Sequence, residues 1–368
     1  MLATLHEGNE LMRALASRLL AAALTVACGL AAAQDKVVYG TASRPGIANA
    51  SMFLTEAMGF FKDEGISIST VQFEGTAILL PQIANKSITI GYPIPDFVII
   101  SNDTGKDPLP LRFFYNVTRV YNWEIVVPAD SPIKELKDLK GKIIGVNTLS
   151  TGNVPVTRSM LKEVGLQVGR DVELVATPQG GAAINALKTG RVQALNLFDV
   201  FHSEIEAYHG IPLRRVPMPR RYLQMSGNSF AAHVDTFRDN PDLLKRFGRA
   251  YSKGMTACYL NMEGCVRNLW RMHPATKPTS GDDASNMAAA VKILRANLER
   301  KMPEGWPKNR EFGAFPHAGW ETNLEILVGE GTVKNRSLDL KRLYTNDFVQ
   351  DFSKFNVDEV AARAKTIP

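Results

Sequence analysis

Strand and helix signals alternate along this chain and then start again, and that repetition constrains the fold more than any other feature. Short apolar runs at 37–39, 66–73 and 88–91 alternate with helical patterns at 49–58 and 77–84. Strand signals follow at 111–117 and 123–127. After Pro132 the series restarts, with strands at 142–146, 172–176 and 192–197 and helices at 155–164, 182–187 and 203–208. Alternating segments of these lengths predict an α/β chain of doubly wound units with mostly parallel strands. The stretches 83–90 and 187–194 both run from a helix end through a polar turn into a short apolar strand, and each is soon followed by an acid, Asp96 or Asp199. Two such lobes in one chain place a cleft between them.

From Asn240 the character changes to long helices at 242–260, 264–272 and 285–300. Leu243, Leu244, Phe247, Ala250, Tyr251 and Met255 recur at helical spacing, and Asn240-Pro241 is a cap followed by proline in the first turn. Packing explains this region.

The N-terminus predicts export. Arg13 and Arg18 precede an apolar run at 19–30, and Ala31-Ala32-Ala33 offers a cleavage site before Gln34. This is the layout of a secretory signal peptide, and the run is short for a bilayer span. The expectation is a signal peptide at 1–33 and a periplasmic mature chain. A lipid anchor at Cys28 is the alternative, weakened by Thr25 where such a motif has leucine.

Composition and motifs argue against several functions. A net charge of +6 from 43 Lys+Arg and 37 Asp+Glu is scattered among acids, without the clustered footprint of a nucleic-acid binder. The six histidines show no HExxH or comparable ligand spacing, and no P-loop, GxGxxG or GxSxG follows a strand. No catalytic residue, metal or cofactor is predicted, and the chain is expected to be a monomer. Cys258 and Cys265, seven apart in a helical stretch, would stand about 10 Å from each other on one continuous helix. That is too far for a disulfide unless Gly264 breaks the helix, and packing is the expected role.

Four segments resemble one family. The stretches 57–66 (AMGFFKDEGI), 137–146 (KDLKGKIIGV), 186–194 (ALKTGRVQA) and 240–251 (NPDLLKRFGRAY) are similar, in order, to exported solute-binding proteins of the nitrate, sulfonate and taurine type. That group includes relatives of the thiamine-pyrimidine synthesis proteins. Thr89 and Gln193 stand where many relatives have an acid, and 281–315 is not matched to the family. The resemblance implies a type II periplasmic-binding-protein fold: two lobes on a hinge of crossing strands, with C-terminal helices packed on the first lobe. Lobe 1 is then 34–122, lobe 2 is 123–217, and 218–368 returns to lobe 1. It also implies capture of a small solute by hinge closure and delivery to an ABC permease with its cytoplasmic ATPase. An enzyme of the pyrimidine-synthesis kind and a ligand-sensing lobe for a membrane signalling protein are the alternatives.

Ligands of open α/β sheets bind beyond the carboxyl ends of strands, beside helix N-termini. Four loops qualify. Ser43 and Arg44 follow the first strand, and Gly75 and Thr76 the second. The loop Asn147 to Asn153 opens a helix, where Asn147, Ser150, Thr151, Gly152 and Asn153 with free backbone N–H groups suit an oxyanion. Helix capping is the competing reading of Ser150 and Thr151. The fourth is Asp199; it and Asp96 either cap helices or accept from an amine or hydroxyl. Trp123, with Tyr121, either stacks on a planar ligand or packs the hinge. Arg44 and the helix start favour an organic anion such as a sulfonate or carboxylate. The aromatic residues favour a planar aromatic or pyrimidine.

Overall fold

The computed structural model describes residues 34–367; the signal peptide and Cys28 lie outside the described residues. Strands β1 (Asp35–Thr41), β2 (Ile66–Gln72), β3 (Ile90–Tyr92), β4 (Leu111–Asn116) and β10 (Ser229–His233) form one five-stranded sheet in the order β2-β1-β3-β10-β4. Strands β5 (Trp123–Pro128), β6 (Ile143–Val146), β7 (Glu173–Ala176), β8 (Ala194–Phe198) and β9 (Leu213–Arg215) form the second, in the order β7-β6-β8-β5-β9. The two orders are equivalent. In the first, β3 runs parallel to β1 and antiparallel to β10; in the second, β8 runs parallel to β6 and antiparallel to β5.

Each sheet therefore receives its antiparallel strand from beyond its own βα series. The chain leaves the first lobe through 117–122 into β5 and returns through 216–228 into β10. These crossing segments hydrogen-bond to each other, Thr118 N–H to Asn228 O at 2.9 Å and Gly227 N–H to Thr118 O at 3.2 Å. They form a two-strand hinge.

The first lobe carries α1 (Ala50–Ala57), α2 (Phe60–Asp63), α3 (Thr76–Ala84) and α4 (Asp96–Ser101); the second carries α5 (Val154–Glu163), α6 (Gly181–Lys188) and α7 (Asp199–His209). After β10 come α8 (Val234–Asp239), α9 (Pro241–Leu260), α10 (Met262–Met272), α11 (Asp283–Glu299), α12 (His317–Glu330), α13 (Val349–Phe352) and α14 (Val357–Ala364). Asn240 caps α9 by accepting from Leu243 N–H at 3.2 Å. The apolar stripe of α9 packs Phe247 and Tyr251 on Phe230 of β10, with ring centroids 5.2 and 4.9 Å apart. Fully burying each such side chain contributes about 1.5–3 kcal/mol, so the C-terminal helices are part of the first lobe's core. Two of them also reach the second lobe. Helix α11 packs on α7, and α12 packs on α5, where Ser159 Oγ donates to Ile326 O at 2.9 Å.

One expectation is corrected. Cys258 and Cys265 form a disulfide, with Cα atoms 5.1 Å apart. The helix is not continuous: Asn261 leaves helical geometry between α9 and α10, with φ −138° and ψ 78°. Its side chain accepts from Gly264 N–H at 2.9 Å and starts α10. The break redirects the chain and brings the two sulfurs together.

Candidate functional site

The two lobes touch where 74–77 of the first meets 148–152 of the second. Thr148 Oγ1 and Ser150 Oγ donate to Glu74 O at 3.0 and 2.9 Å, and Ala77 N–H donates to Ser150 O at 3.2 Å. Glycine is required at Gly75, where φ is +140° and a Cβ would stand 2.3 Å from Ser150 Oγ. At Gly152 a Cβ would meet Ile94 at 2.4 Å, and Thr76 lies against the same glycine. Gly75, Thr76, Ser150 and Gly152 thus join lobe to lobe in this conformation.

Three more of the expected ligand residues are engaged inside the second lobe. Thr151 Oγ1 accepts from Thr148 N–H at 3.0 Å, and Asn147 Oδ1 accepts from Gln179 N–H at 3.2 Å. Asn153, fully buried, donates to Asn196 Oδ1, which also accepts from Thr157 Oγ1 at 2.7 Å. Asp96 lies near the hinge instead. Its Oδ1 accepts from Asn323 Nδ2 at 3.0 Å, its Oδ2 is buried without a partner, and burial pushes its pKa up to about 7.

Next to the hinge is a partly open cavity of about 30 Å³, space for about two waters. Ser43, Ala48 and Asn49 come to it from the loop after β1, Thr118, Asn122 and Trp123 from one hinge segment, and Asn228 from the other. Tyr92, Phe198, Asn297 and Lys301 complete its lining. Trp123 stands edge-on to Phe198, centroids 5.8 Å apart, and its Nε1–H is buried without a partner. Tyr92 Oη and Thr118 Oγ1 are 3.2 Å apart.

Lys301 dominates the chemistry. It lies two residues past α11, whose terminal carbonyls are held by the hinge: Arg119 Nη2 donates to Glu299 O at 3.0 Å and Arg119 N–H to Arg300 O at 3.0 Å. These bonds satisfy groups that a helix end leaves open, and they fix Lys301 at the hinge. The side chain is 4% exposed, and its ammonium donates to Ala48 O. Burial lowers its pKa to about 8, opposed by the nearby Asp199 charge. An ammonium has three donors, so two remain beyond the bond to Ala48.

Asp199 is already occupied. It accepts from Asn122 Nδ2 at 2.9 Å and pairs with Arg300 Nε at 3.2 Å; burial still raises its pKa against both partners. Around it, burial would raise Glu124, but His202, Arg215 and Arg300 outweigh that and hold its carboxyl low. His202 is itself pushed toward neutrality by burial. The carboxylates beside the cavity thus have cationic partners of their own.

Of the expected residues, Ser43 and Trp123 line this cavity, Asp199 stands behind it, and Arg44 faces a separate outer part of the cleft. Lys301, Tyr92, Thr118, Asn228 and Asn297 carried no local signal for a site. A basic residue just past a helix C-terminus is what the helix dipole favours anywhere.

Two lobes with equivalent strand orders, crossed by a double hinge around a polar cavity, define a periplasmic-binding-protein fold of the type II class. The NMT1/THI5 like family model matches residues 48–263, more than half of the chain, and the protein belongs to that family. No curated protein sequence matches it. The structure is similar to the alkanesulfonate-binding protein SsuA from Xanthomonas axonopodis pv. citri bound to MOPS, with TM-score 0.62, 16% identity, and 86% of this chain and 99% of that one covered. It is also similar to the periplasmic aliphatic sulphonate binding protein SsuA from Escherichia coli, with TM-score 0.60, 15% identity and coverage of 84% and 91%. The desulfurization enzyme DSZB shares the fold too, with TM-score 0.56, 16% identity and coverage of 87% and 99%.

Proposed function

We propose that the protein is the periplasmic solute-binding component of an ABC importer and that it captures a small organic anion, a sulfonate or carboxylate, by closing its lobes. The observation that carries this is Lys301: a buried cation at the hinge cavity, its nearest acid Asp199 already taken by Asn122 and Arg300. A buried ammonium is costly unless paired, and an anionic ligand supplies the missing partner. The unpaired Trp123 N–H adds a donor, since oxyanions accept several hydrogen bonds and charge-assisted ones are the strongest. Ligand contacts in both lobes would favour the closed state over the open one, and the closed form would dock on the permease.

DSZB keeps an enzymatic reading in view. The two described cysteines, Cys258 and Cys265, are bonded to each other far along the C-terminal helices, and neither lines the hinge cavity. Neither is a free thiol at the cavity, and the buried Lys301 cation there supports binding as the reading adopted. Thermal unfolding of the chain from Gln34 onward, against sulfonates, carboxylates, nitrate, pyrimidines and amines, tests it. A ligand at about a hundred times its Kd stabilises by about 2.7 kcal/mol. Stabilisation by anions, lost in Lys301→Met, supports the proposal; stabilisation by amines or pyrimidines alone overturns it.

A further inference from the structure

Beside its donors the hinge cavity holds one unmatched acceptor, the side-chain oxygen of Asn122. Asn122 is bound to Asp199 twice: its backbone carbonyl accepts from Asp199 N–H at 3.0 Å, and its Nδ2 donates to Asp199 Oδ1 at 2.9 Å. Asp199, paired with Arg300 Nε at 3.2 Å, is a carboxylate, and a carboxylate only accepts. The Asn122 amide therefore keeps its NH2 on Asp199 and turns its oxygen away. That Oδ1 is buried without a partner, in a residue 8% exposed that lines the cavity.

Several other polar groups of the cavity are already matched. Asn49 Oδ1 accepts from Gly46 N–H at 2.9 Å, Asn228 Nδ2 donates to Tyr92 O at 3.3 Å, and the Tyr92 and Thr118 hydroxyls pair with each other. Lys301 keeps two donors beyond its bond to Ala48 O, and Trp123 Nε1–H is unpartnered. Donors thus gather at one cation, and a lone acceptor, fixed by the Asp199 bonds, shares the same small space.

Resting on the anion-binding reading, we propose that the ligand is a 2-hydroxycarboxylate: its carboxylate takes the Lys301 and Trp123 donors, and its hydroxyl donates to Asn122 Oδ1, so that Asn122 selects for the hydroxyl. The cavity has room for about two waters, which places the charged group and the donor on adjacent carbons. The donor is a hydroxyl and not an ammonium, because a second ammonium beside Lys301 is repelled and the nearby Asp199 carboxylate is taken. A carboxylate brings two oxygens where a sulfonate brings three, which suits so small a space. An anion without the hydroxyl displaces water from Asn122 and leaves a buried acceptor unpaired, which weakens its complex.

Calorimetric titration of the full mature chain with glycolate, acetate and methoxyacetate, and with lactate, propionate and alanine, tests this. Glycolate and lactate are expected to bind at least about tenfold more tightly than acetate and propionate. Methoxyacetate keeps the oxygen but lacks the donor, and it is expected to bind no better than acetate. Asn122→Leu removes the acceptor and should bring the glycolate and acetate affinities to within about twofold of each other. The methoxyacetate comparison needs no variant and so survives a folding failure. Equal affinities for glycolate, methoxyacetate and acetate, or alanine bound more tightly than lactate, overturn the hydroxyl assignment and leave the anion reading standing. Binding of sulfonates without any of these carboxylates does the same. Failure of every anion to bind overturns both.

Discussion

The Ser150 hydroxyl of the second lobe donates to the Glu74 carbonyl of the first over 2.9 Å, and this bond joins one lobe to the other across the cleft. Thr148 donates to the same carbonyl. Removing both hydroxyls, in Ser150→Ala with Thr148→Ala, is expected to weaken ligand binding about fivefold to thirtyfold, at roughly 1 kcal/mol per bond, without changing which ligand is preferred. Gly75→Ala acts more strongly, because a Cβ there collides with Ser150 Oγ and the +140° φ disfavours any side chain. Small-angle scattering should find Gly75→Ala open in the presence of ligand. Closure as complete as in the natural protein would contradict this role.

Lys301 predicts a pH dependence with a definite sign. Its pKa of about 8 in the empty protein lies below the ordinary lysine value, so the unfolded chain holds its proton to higher pH. Stability of the unliganded protein therefore rises between about pH 8 and 10 as the folded state sheds the buried charge. Anion affinity moves the other way, constant below about pH 8 and falling by up to tenfold per unit above it. Calorimetry from pH 6 to 10 checks both signs, and Lys301→Met should flatten the affinity profile.

Asp96 makes the opposite kind of contribution. Burial raises its pKa to about 7, above the unfolded carboxyl value, so the folded state binds a proton that the unfolded state releases. The stability this carboxyl supports is complete at pH 4 and is lost as pH rises through 7. Asp96→Asn keeps an oxygen for Asn323 Nδ2 and removes the buried charge. Its Tm should exceed that of the natural protein at pH 8 and match it near pH 4; equal shifts at both would contradict the assignment.

The two-lobed α/β plan was legible because strand and helix signals are local and the series visibly restarts after Pro132. Helix α9 was legible for the same reason, from its stripe and its Asn240 cap. The hinge exchange was not: that β10 enters the first sheet between β3 and β4 depends on tertiary pairing. At Ser150 and Gly75 the lobe contact could not be told from a ligand site, because a glycine or hydroxyl beside a helix start serves a ligand and a lobe contact equally well. Lys301 was invisible, since its position is set by Arg119 holding the end of α11, a contact 180 residues apart in sequence. The cysteine pair was misjudged because one residue, Asn261, interrupts a stretch whose composition is helical throughout.

The Cys258–Cys265 bond closes a short loop at the junction of α9 and α10. Loop-closure entropy for so few residues is worth about 2–3 kcal/mol. Reduction, or Cys258→Ser with Cys265→Ser, should lower Tm by several degrees and leave anion affinity within about twofold, since the pair lies outside the cleft. A large affinity loss with unchanged Tm would contradict that separation.

On the proposed function the buried Lys301 ammonium holds the ligand's negative charge, and calorimetric titration of Lys301→Met beside the natural protein is the decisive experiment. With benzenesulfonate and benzoate at pH 7, the natural protein should bind at least one, and Lys301→Met should bind it at least about a hundredfold more weakly while its unliganded Tm is unchanged or raised. Equal affinity of the two proteins would contradict the account.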